Sequence, residues 1–599
     1  MSDLLRRLLS DKGKTEADIS PRSGLGKLML RRGVRFSPEI PRIVDHPRTD
    51  LCGLPSGDEM AKLLTEAYRS PQGKMALRPI QAECLQALHD FGGLLAMVRV
   101  GGGKTLVSYL AAEVVGAERP LLIVPAKLVT KTTNDFKELS RHWKVSVAPR
   151  VVSYEKISVD YEGELFRDKP DLIIADEAQK LKNLRAGVTK RVKQYIEHAE
   201  HRVRFAALSG TLTTRSIREY WHLAHWAFGD HMPLPKRFDI MKEWADCIDV
   251  VKDGDNLHPG ELELLVEKFG SIPQFMLNPV QETRLSYQKR LKTWPGVVGS
   301  SETMLSVPLM IRSVDVEVSG GIMDDAWSKL RRDWETPDGH PFSEAVDQWR
   351  HARELAMGFY YVWDPRPPAE WLEARKAWKA YVRKALSGPW GFKTELEVTR
   401  HVVSTGGVRE YAAWTAIREV FSPNQCPVWV HDSMLRYAAS WLEATGGIAW
   451  TEHVAFGERL AALTGLPYFG SEGRCRVTGR NIEDPSVRGP IIASIASNGE
   501  GRNLQTRWSK NLVASAPPNG AVWEQMLGRT HRDGQTAEEV TFDVVVSCLE
   551  AWQGMQQVLT DAEYIQDTTG VPQKVLYADI SLPDEVEVAT YKGSRWNRY

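Results

Sequence analysis

The sequence predicts an α/β protein with two parallel sheets flanked by helices and a helix-rich stretch between them. Three observations predict it. Near-continuous apolar runs such as LLIVPA (121–126) and DLIIADEA (171–178) end in polar residues. Strands buried on both faces of a parallel sheet read this way, with functional groups at their carboxyl ends. A second region of the same character starts near CPVWVHD (426–432) and continues through PIIASIAS and KNLVASA. The roughly two hundred residues between the two regions are of different composition, rich in helix formers and tryptophan.

The totals set the bounds. A chain of 599 residues exceeds what one hydrophobic core organises, so several domains are expected. Apolar content of 42% and charged content of 26% belong to an ordinary soluble globular protein. Lys plus Arg (77) equals Asp plus Glu (77), so any nucleic-acid binding must come from a local groove rather than a global field. The six cysteines are scattered with no CxxC, which argues against a zinc module or disulfide framework and for a reducing compartment. No apolar run approaches the roughly 18–20 residues of a membrane span. The opening MSDLLRRLLSDKGK lacks the apolar core of a signal peptide, so a cytoplasmic location is expected.

Residues 1–74 read as an irregular extension. Eleven Lys/Arg against six Asp/Glu fall in the first 48 residues, and Leu4, Leu5, Leu8 and Leu9 could line one face of a short helix. The extension is expected to pack on the body, with an arm for DNA or a protein partner as the alternative. From 75 to 215 strands and helices alternate. In the second region SMLRYAASWLEATGG reads as a helix stopped at Gly446. Between the regions lie Trp327, Trp334, Trp349, Trp363, Trp371, Trp378, Trp390 and Trp414. Their broadly helical spacing favours core packing of small helical subdomains over a platform for stacking bases.

LLAMVRVGGGKTLVSYLAAEVV reads as strand, glycine loop, then helix from about Lys104. Consecutive backbone amides in such a loop form an anion nest, and the helix N-terminus adds its positive end. Lys104 reaches the β- and γ-phosphates in this arrangement, and the Thr105 hydroxyl holds Mg²⁺. Val98 takes the first glycine position of the full G-x-x-x-x-G-K-T pattern, leaving the tighter Gly101, Gly102, Gly103, Lys104, Thr105. DLIIADEAQ supplies the acids such a site needs: Asp176 for the metal shell and Glu177 as general base toward water. ATP and Mg²⁺ are therefore the expected cofactors.

Charge that develops on the γ-phosphate exceeds what Lys104 and Mg²⁺ cover, and a positive finger contributes about 10³–10⁵ in rate. WEQMLGRTHRDGQ (523–535) places Arg529 and Arg532 three residues apart. With ATP in a cleft between the two α/β units, these arginines complete the site that begins at Gly101.

These motifs together resemble those of superfamily II helicase-like ATPases, and within them the Swi/Snf-type DNA translocases. LRPIQ (77–81) resembles the adenine-reading segment and implicates Gln81. GGGKT resembles the first motif. VPAKLV (124–129) and SYE (153–155) resemble DNA-contact motifs, implicating Lys127 and Ser153. DEAQKLKN (176–183) resembles DEAH-x-x-K-N with Gln179 in place of histidine. LSGTLTT (208–214) resembles the coupling motif and implicates Ser209, Gly210 and Thr211. SNGEGRNLQ (497–505) resembles the fifth motif, implying Gly499 and Gly501 at the nucleotide and Asn503 at DNA. QMLGRTHRDGQ resembles the sixth and brings in Gln525 with the two arginines. Its H-R-x-G-Q ending is the most specific feature.

The resemblance covers about residues 75–560 with the motifs in order. It implies two RecA-like lobes (75–215 and 416–560), helical protrusions at 216–300 and 301–415, and a tail at 561–599. It also implies a monomer tracking duplex, forked or branched DNA in replication, recombination or repair. The compact layout resembles bacterial or phage-encoded members. Two departures stand out: Gln179, which leaves Asp176 and Glu177 intact, and the fifth motif's Glu500 and Arg502. A strand-separating DNA or RNA helicase, a nucleic-acid-binding scaffold without hydrolysis, and an assembly factor with no DNA role are the rival readings. Individual residues carry plainer alternatives. Lys127 could be a solvated strand-end lysine, Ser153 could shape a turn, and His531 could pack rather than touch nucleotide. The basic, aromatic end YKGSRWNRY could bind DNA or a protein, or be a free end.

Overall fold

In the computed structural model the described residues are 37–51, 53, 55–99, 101–159, 163–250, 260–270, 279–300, 307–316, 321–339, 345–387, 392, 395–422, 424–591 and 595–596. The expected leucine face near the start of the chain and Trp390 lie outside them. The chain divides into two units, 1–302 with 561–573, and 303–560 with 574–599.

In the first unit the strands β1 (Gly93–Met97), β2 (Pro120–Val124), β3 (Arg150–Ser153), β4 (Leu172–Asp176), β5 (Arg204–Ser209) and β6 (Val297–Gly299) form one sheet. Their order is β3-β2-β4-β5-β1-β6, and every pairing is parallel. The sequence dictates this by alternation within uniformly apolar runs. Leu95, Met97, Leu121, Ile123, Ile173, Ala175, Phe205 and Ala207 enter one core. Their neighbours Leu94, Ala96, Leu122, Val124, Leu172, Ile174, Ala206 and Leu208 enter the other. The helices Gly187–His198, Trp221–Phe228, Phe238–Ile248 and Pro279–Lys292 supply buried residues to the first face. Helices Gly57–Tyr68, Pro79–Phe91, Lys104–Val115 and Val129–Leu139 cover the second.

The second unit repeats the plan. Strands β7 (Leu309–Val314), β10 (Ile448–Thr451), β11 (Tyr468–Phe469), β12 (Ile491–Ser494), β13 (Lys510–Val513), β14 (Val540–Val545) and β15 (Asp579–Ser581) form a parallel sheet ordered β11-β12-β10-β13-β14-β7-β15. Two parallel sheets of six and seven strands, each flanked by helices, have the character of two RecA-like lobes.

Several expectations change. CPVWV does not open the second sheet. As β9 (Gln425–Trp429) it pairs antiparallel with β8 (Phe359–Trp363) in a separate ribbon and is largely exposed. Pro427 withholds a ladder donor there, which suits a ribbon and not a central parallel strand. Residues 37–74 are not irregular: Gly57–Tyr68 is a helix with a Ser56/Glu59 capping box, a signal present in the sequence. The described residues of 216–300 pack on the first sheet, and the end of that segment supplies its edge strand β6. The 301–415 segment contributes β7 to the second sheet. Within that segment Trp327, Trp371 and Trp378 are buried, which is the packing role for these three, while Trp349, Trp363 and Trp414 are half-buried and Trp334 is exposed. Nor is 561–599 a separate tail. The helix Leu549–Thr569 runs through its start, and β15 pairs with β7. Near the end, Arg595 is paired with Asp315 at 2.9 Å and Trp596 is buried.

The returning segment closes the first unit through two buried carboxyls. Asp561, fully buried, takes a bidentate contact from Arg215 (2.7 and 3.0 Å). Asp249 Oδ1 accepts from Ile217 N (3.2 Å) and from the Tyr564 hydroxyl (3.1 Å). Burial pushes the Asp249 carboxyl up to about 6, against hydrogen bonds from Ser216, Ile217 and Tyr564 and the charge of Arg218. The folded state thus holds a proton that the unfolded chain releases near pH 4. This contribution to stability is present at low pH and is lost as pH rises from about 4 through about 6. Urea unfolding of Asp249→Asn and wild type across pH 4–7 should diverge by about 2–3 kcal/mol over that window, with wild type losing ground. A constant difference would mean that Asp249 ionises normally.

Candidate functional site

The groups that matter in the first unit lie at strand ends. Register pairs Asp176 on β4 with Leu208 on β5, and Met97 on β1 with Ser209 on β5. The carboxyl ends of β4, β5 and β1 therefore lie side by side. Beyond β1 the chain turns through Gly101 (φ 89°) and Gly103 (φ 81°) into the Lys104–Val115 helix. A Cβ on Gly103 would come within 2.0 Å of Gln81 Nε2, and one on Gly102 within 2.4 Å of Val98 Cγ1, so the loop tolerates no side chain there. No side chain caps this helix, so its first-turn amides present the positive dipole end to the loop.

Lys104 Nζ donates to the Val98 carbonyl (3.2 Å) and lies 3.8 Å from Glu177 Oε1, both side chains being largely buried. Glu177 sits in the left-handed region (φ 57°) immediately after β4, a conformation that turns the chain sharply at the acid pair. Its Oε2 accepts from Gln179 Nε2 (2.7 Å). Gln179 Oε1 in turn accepts from the Ser209 hydroxyl (2.6 Å), whose oxygen accepts from Thr211 N (3.0 Å). The structure thus gathers Lys104, Glu177, Gln179, Ser209 and Thr211 into one continuous array. Gln179 makes the link itself: an amide donates to the carboxylate and accepts from the hydroxyl at once. Gly210 stands between Ser209 and Thr211 in the turn after β5.

Asp176 Oδ1 accepts from Glu177 N (3.1 Å), and its carbonyl accepts from the Tyr154 hydroxyl (2.7 Å). Burial, reinforced by Asp176 and Glu177, holds the Tyr154 phenol well above its ordinary range, so it remains a donor. Among the described residues no three His, Cys, Asp or Glu side chains gather as a metal site. Thr105 lies in the first turn of the Lys104–Val115 helix, and Asp176 ends β4.

Two of the expected residues make contacts within the first unit. Gln81, buried, donates to the Gly103 carbonyl (3.1 Å) and accepts from Arg78 N (2.9 Å), so here it props the loop. Ser153 Oγ accepts from Lys156 N (3.0 Å) as a helix cap, which is the turn-shaping alternative. Lys127 is half-buried on the short Ala126–Leu128 helix that follows β2. Three contributors were not foreseen. Arg78 Nη1 donates to the Gly101 carbonyl (3.2 Å), Glu155 accepts from Ala126 N (3.0 Å), and Glu219 accepts from Thr214 N (2.6 Å) and pairs with Lys182 (3.5 Å). No local pattern announces such contacts, although SYE and LRPIQ contain two of the residues.

In the second unit the segments 497–505 and 525–535 are stitched together. Arg529 is 3% exposed and donates from Nε to the Gln525 carbonyl (2.7 Å) and from Nη1 to the Arg502 carbonyl (3.0 Å). Arg532, half-buried, donates from Nη1 to Asn503 Oδ1 (2.5 Å). Gln525 is buried. Gly499 follows the short Ile495–Asn498 helix, and Gly501 has φ 72°. His531 is buried with Nε2 against the Val307 carbonyl (2.8 Å), the packing alternative. The structure thus separates the two arginines by role: Arg529 braces its own unit, while Arg532 stays near the surface. No family model matches the chain, and no curated protein matches it.

Urea denaturation should therefore distinguish the two. Arg529→Ala should cost about 2–4 kcal/mol, since it removes buried packing and the guanidinium's bonds to the Gln525 and Arg502 carbonyls. Arg532→Ala should cost less than about 1 kcal/mol. Equal costs would contradict this division.

Proposed function

We propose that the protein is an ATP-dependent DNA translocase of the Swi/Snf type. One observation carries the ATPase half: the ion pair of Lys104 with Glu177, continued by hydrogen bonds through Gln179 to Ser209 and Thr211, at the ends of three adjacent strands. The DNA half rests on the wording and order of the motifs, with Lys127 and Asn503 as backbone contacts.

Bound ATP with Mg²⁺ supplies the phosphoanhydride whose hydrolysis is the energy source. Lys104, held here by the Val98 carbonyl and Glu177, moves onto phosphate oxygens, and the uncapped amides of the helix N-terminus share that charge. Release from Lys104 leaves Glu177 a stronger base, oriented toward water by the Gln179 amide. Protonation of Glu177 then weakens its hold on Gln179. That change reaches Ser209 and the Thr211 amide directly, and the Thr213–Thr214 segment gripped by Glu219 lies just beyond. Arg532 supplies the further positive charge during hydrolysis, since Arg529 is committed to its own unit. Gln179 carries the coupling that the family assigns to histidine, without a titrating group.

Steady-state ATP hydrolysis with no nucleic acid, single-stranded DNA, blunt duplex, forked DNA and RNA tests the proposal. Stimulation by duplex or fork, with little by RNA, is expected. Lys104→Ala should abolish turnover, Glu177→Gln should bind ATP without turnover, and Arg532→Ala should cost about 10³ in rate. DNA affinity should fall steeply with salt. Turnover indifferent to every nucleic acid would remove the DNA assignment.

A further inference from the structure

Between β11 and β12 the chain leaves the second sheet and forms a hairpin at 474–481. Cys475 N donates to the Arg480 carbonyl (2.9 Å), Gly479 N to the Cys475 carbonyl (2.8 Å), and Arg474 bridges Asn481. Its root is fixed by the buried Gly473, Cys475 and Ile482, with Ile482 N on the Gly473 carbonyl (2.9 Å). At its tip Val477 is 94% exposed, more than any other large apolar side chain among the described residues. Arg474, Arg476 and Arg480 surround it, all exposed. Arg476 pairs with Glu458 (2.9 Å), and Arg474 lies 4.0 Å from Glu472. Exposed pairs of this kind are weak, so phosphates can compete for both arginines.

A solvated turn needs no special connection to the rest of its unit, yet this one is wired to the fifth and sixth motifs. Glu472, held in the left-handed region (φ 56°), has its carbonyl gripped by Arg502 Nη2 (2.7 Å) and Asn481 Nδ2 (3.2 Å). Arg502 Nη1 pairs with Glu483 (3.0 Å), whose other oxygen accepts from Asn503 N (3.0 Å). The Arg502 carbonyl accepts from Arg529, and Asn503 Oδ1 from Arg532. Two bonds therefore separate the hairpin root from Arg529, and Glu483 with Asn503 extends the connection to Arg532. A Cβ on Gly473 would lie 2.5 Å from Arg502 Nη2, so the fit is close. Arg502 thereby gains a purpose.

We propose that the 474–481 hairpin is a pin for forked DNA, with Val477 set against the first base pair and the three arginines on the flanking phosphates. An apolar wedge beside phosphate-binding arginines suits a junction, where one base pair lacks a stacking neighbour and opens at least cost. This inference rests on the translocase reading, and it adds a fork preference and local strand opening to it.

The test uses the full-length protein, a DNA fork and a blunt duplex of the same sequence, with 2-aminopurine in the junction pair. Wild type should bind the fork about tenfold more tightly than the duplex and raise junction fluorescence. Val477→Asp and the double variant Arg476→Glu/Arg480→Glu should lose both effects. Duplex-stimulated ATP hydrolysis and the thermal midpoint should stay unchanged, because these side chains lie outside the core. Retention of fork preference and junction signal by the variants would overturn the pin. So would a wild type that duplex DNA stimulates but that neither prefers the fork nor opens it, with the translocase reading intact. A matching RNA fork bound as tightly would overturn the assignment to DNA. Hydrolysis that no DNA stimulates would instead remove the translocase reading, and the pin with it.

Discussion

Burial of the central strands on both faces is the constraint from which the candidate site follows. Within β1, β2, β4 and β5 alternate side chains enter opposite cores, which excludes polar groups until the strands end. Lys104, Asp176, Glu177 and Ser209 then emerge at neighbouring carboxyl ends, because β5 lies between β4 and β1. Opposite charges on the outer two ends are thereby placed within reach of each other, and a hydroxyl on the middle one is placed to donate to the amide oxygen of Gln179. A different strand order would leave the same residues apart.

The glycine loop shows how closely sequence and geometry agree here. Gly101 and Gly103 adopt positive φ, and the space a side chain would need at Gly103 is held by Gln81. Val98 is buried at the strand end of the turn, and its carbonyl accepts from Lys104.

In the second unit Arg502 also finds a physical account. Arg502 is a strut: its guanidinium fixes the hairpin root while its carbonyl receives Arg529. A buried arginine that donates to a carbonyl on one side and a carboxylate on the other holds loops in register where no regular ladder reaches them. Arg529 and Arg532, alike in sequence, differ because one falls on the buried side of the Gly520–Thr530 helix and the other follows its end.

The sequence by itself determined the fold class, since long apolar runs closed by polar residues admit little but doubly covered parallel strands. It also located the loop, the acid pair and the start of the Lys104–Val115 helix, because glycine conformation, helix dipole and strand-end chemistry are local. The short strands β6, β11 and β15 carry two or three residues each and no period to read. The five residues of β9 looked like a buried strand until Pro427 and its partner made it a ribbon. Only tertiary structure decided that Arg215 meets Asp561, 346 residues on, that Gln179 bridges Glu177 to Ser209, and that Arg529 is a brace. Those pairings depend on strand order and burial, which leave no periodic mark along the chain.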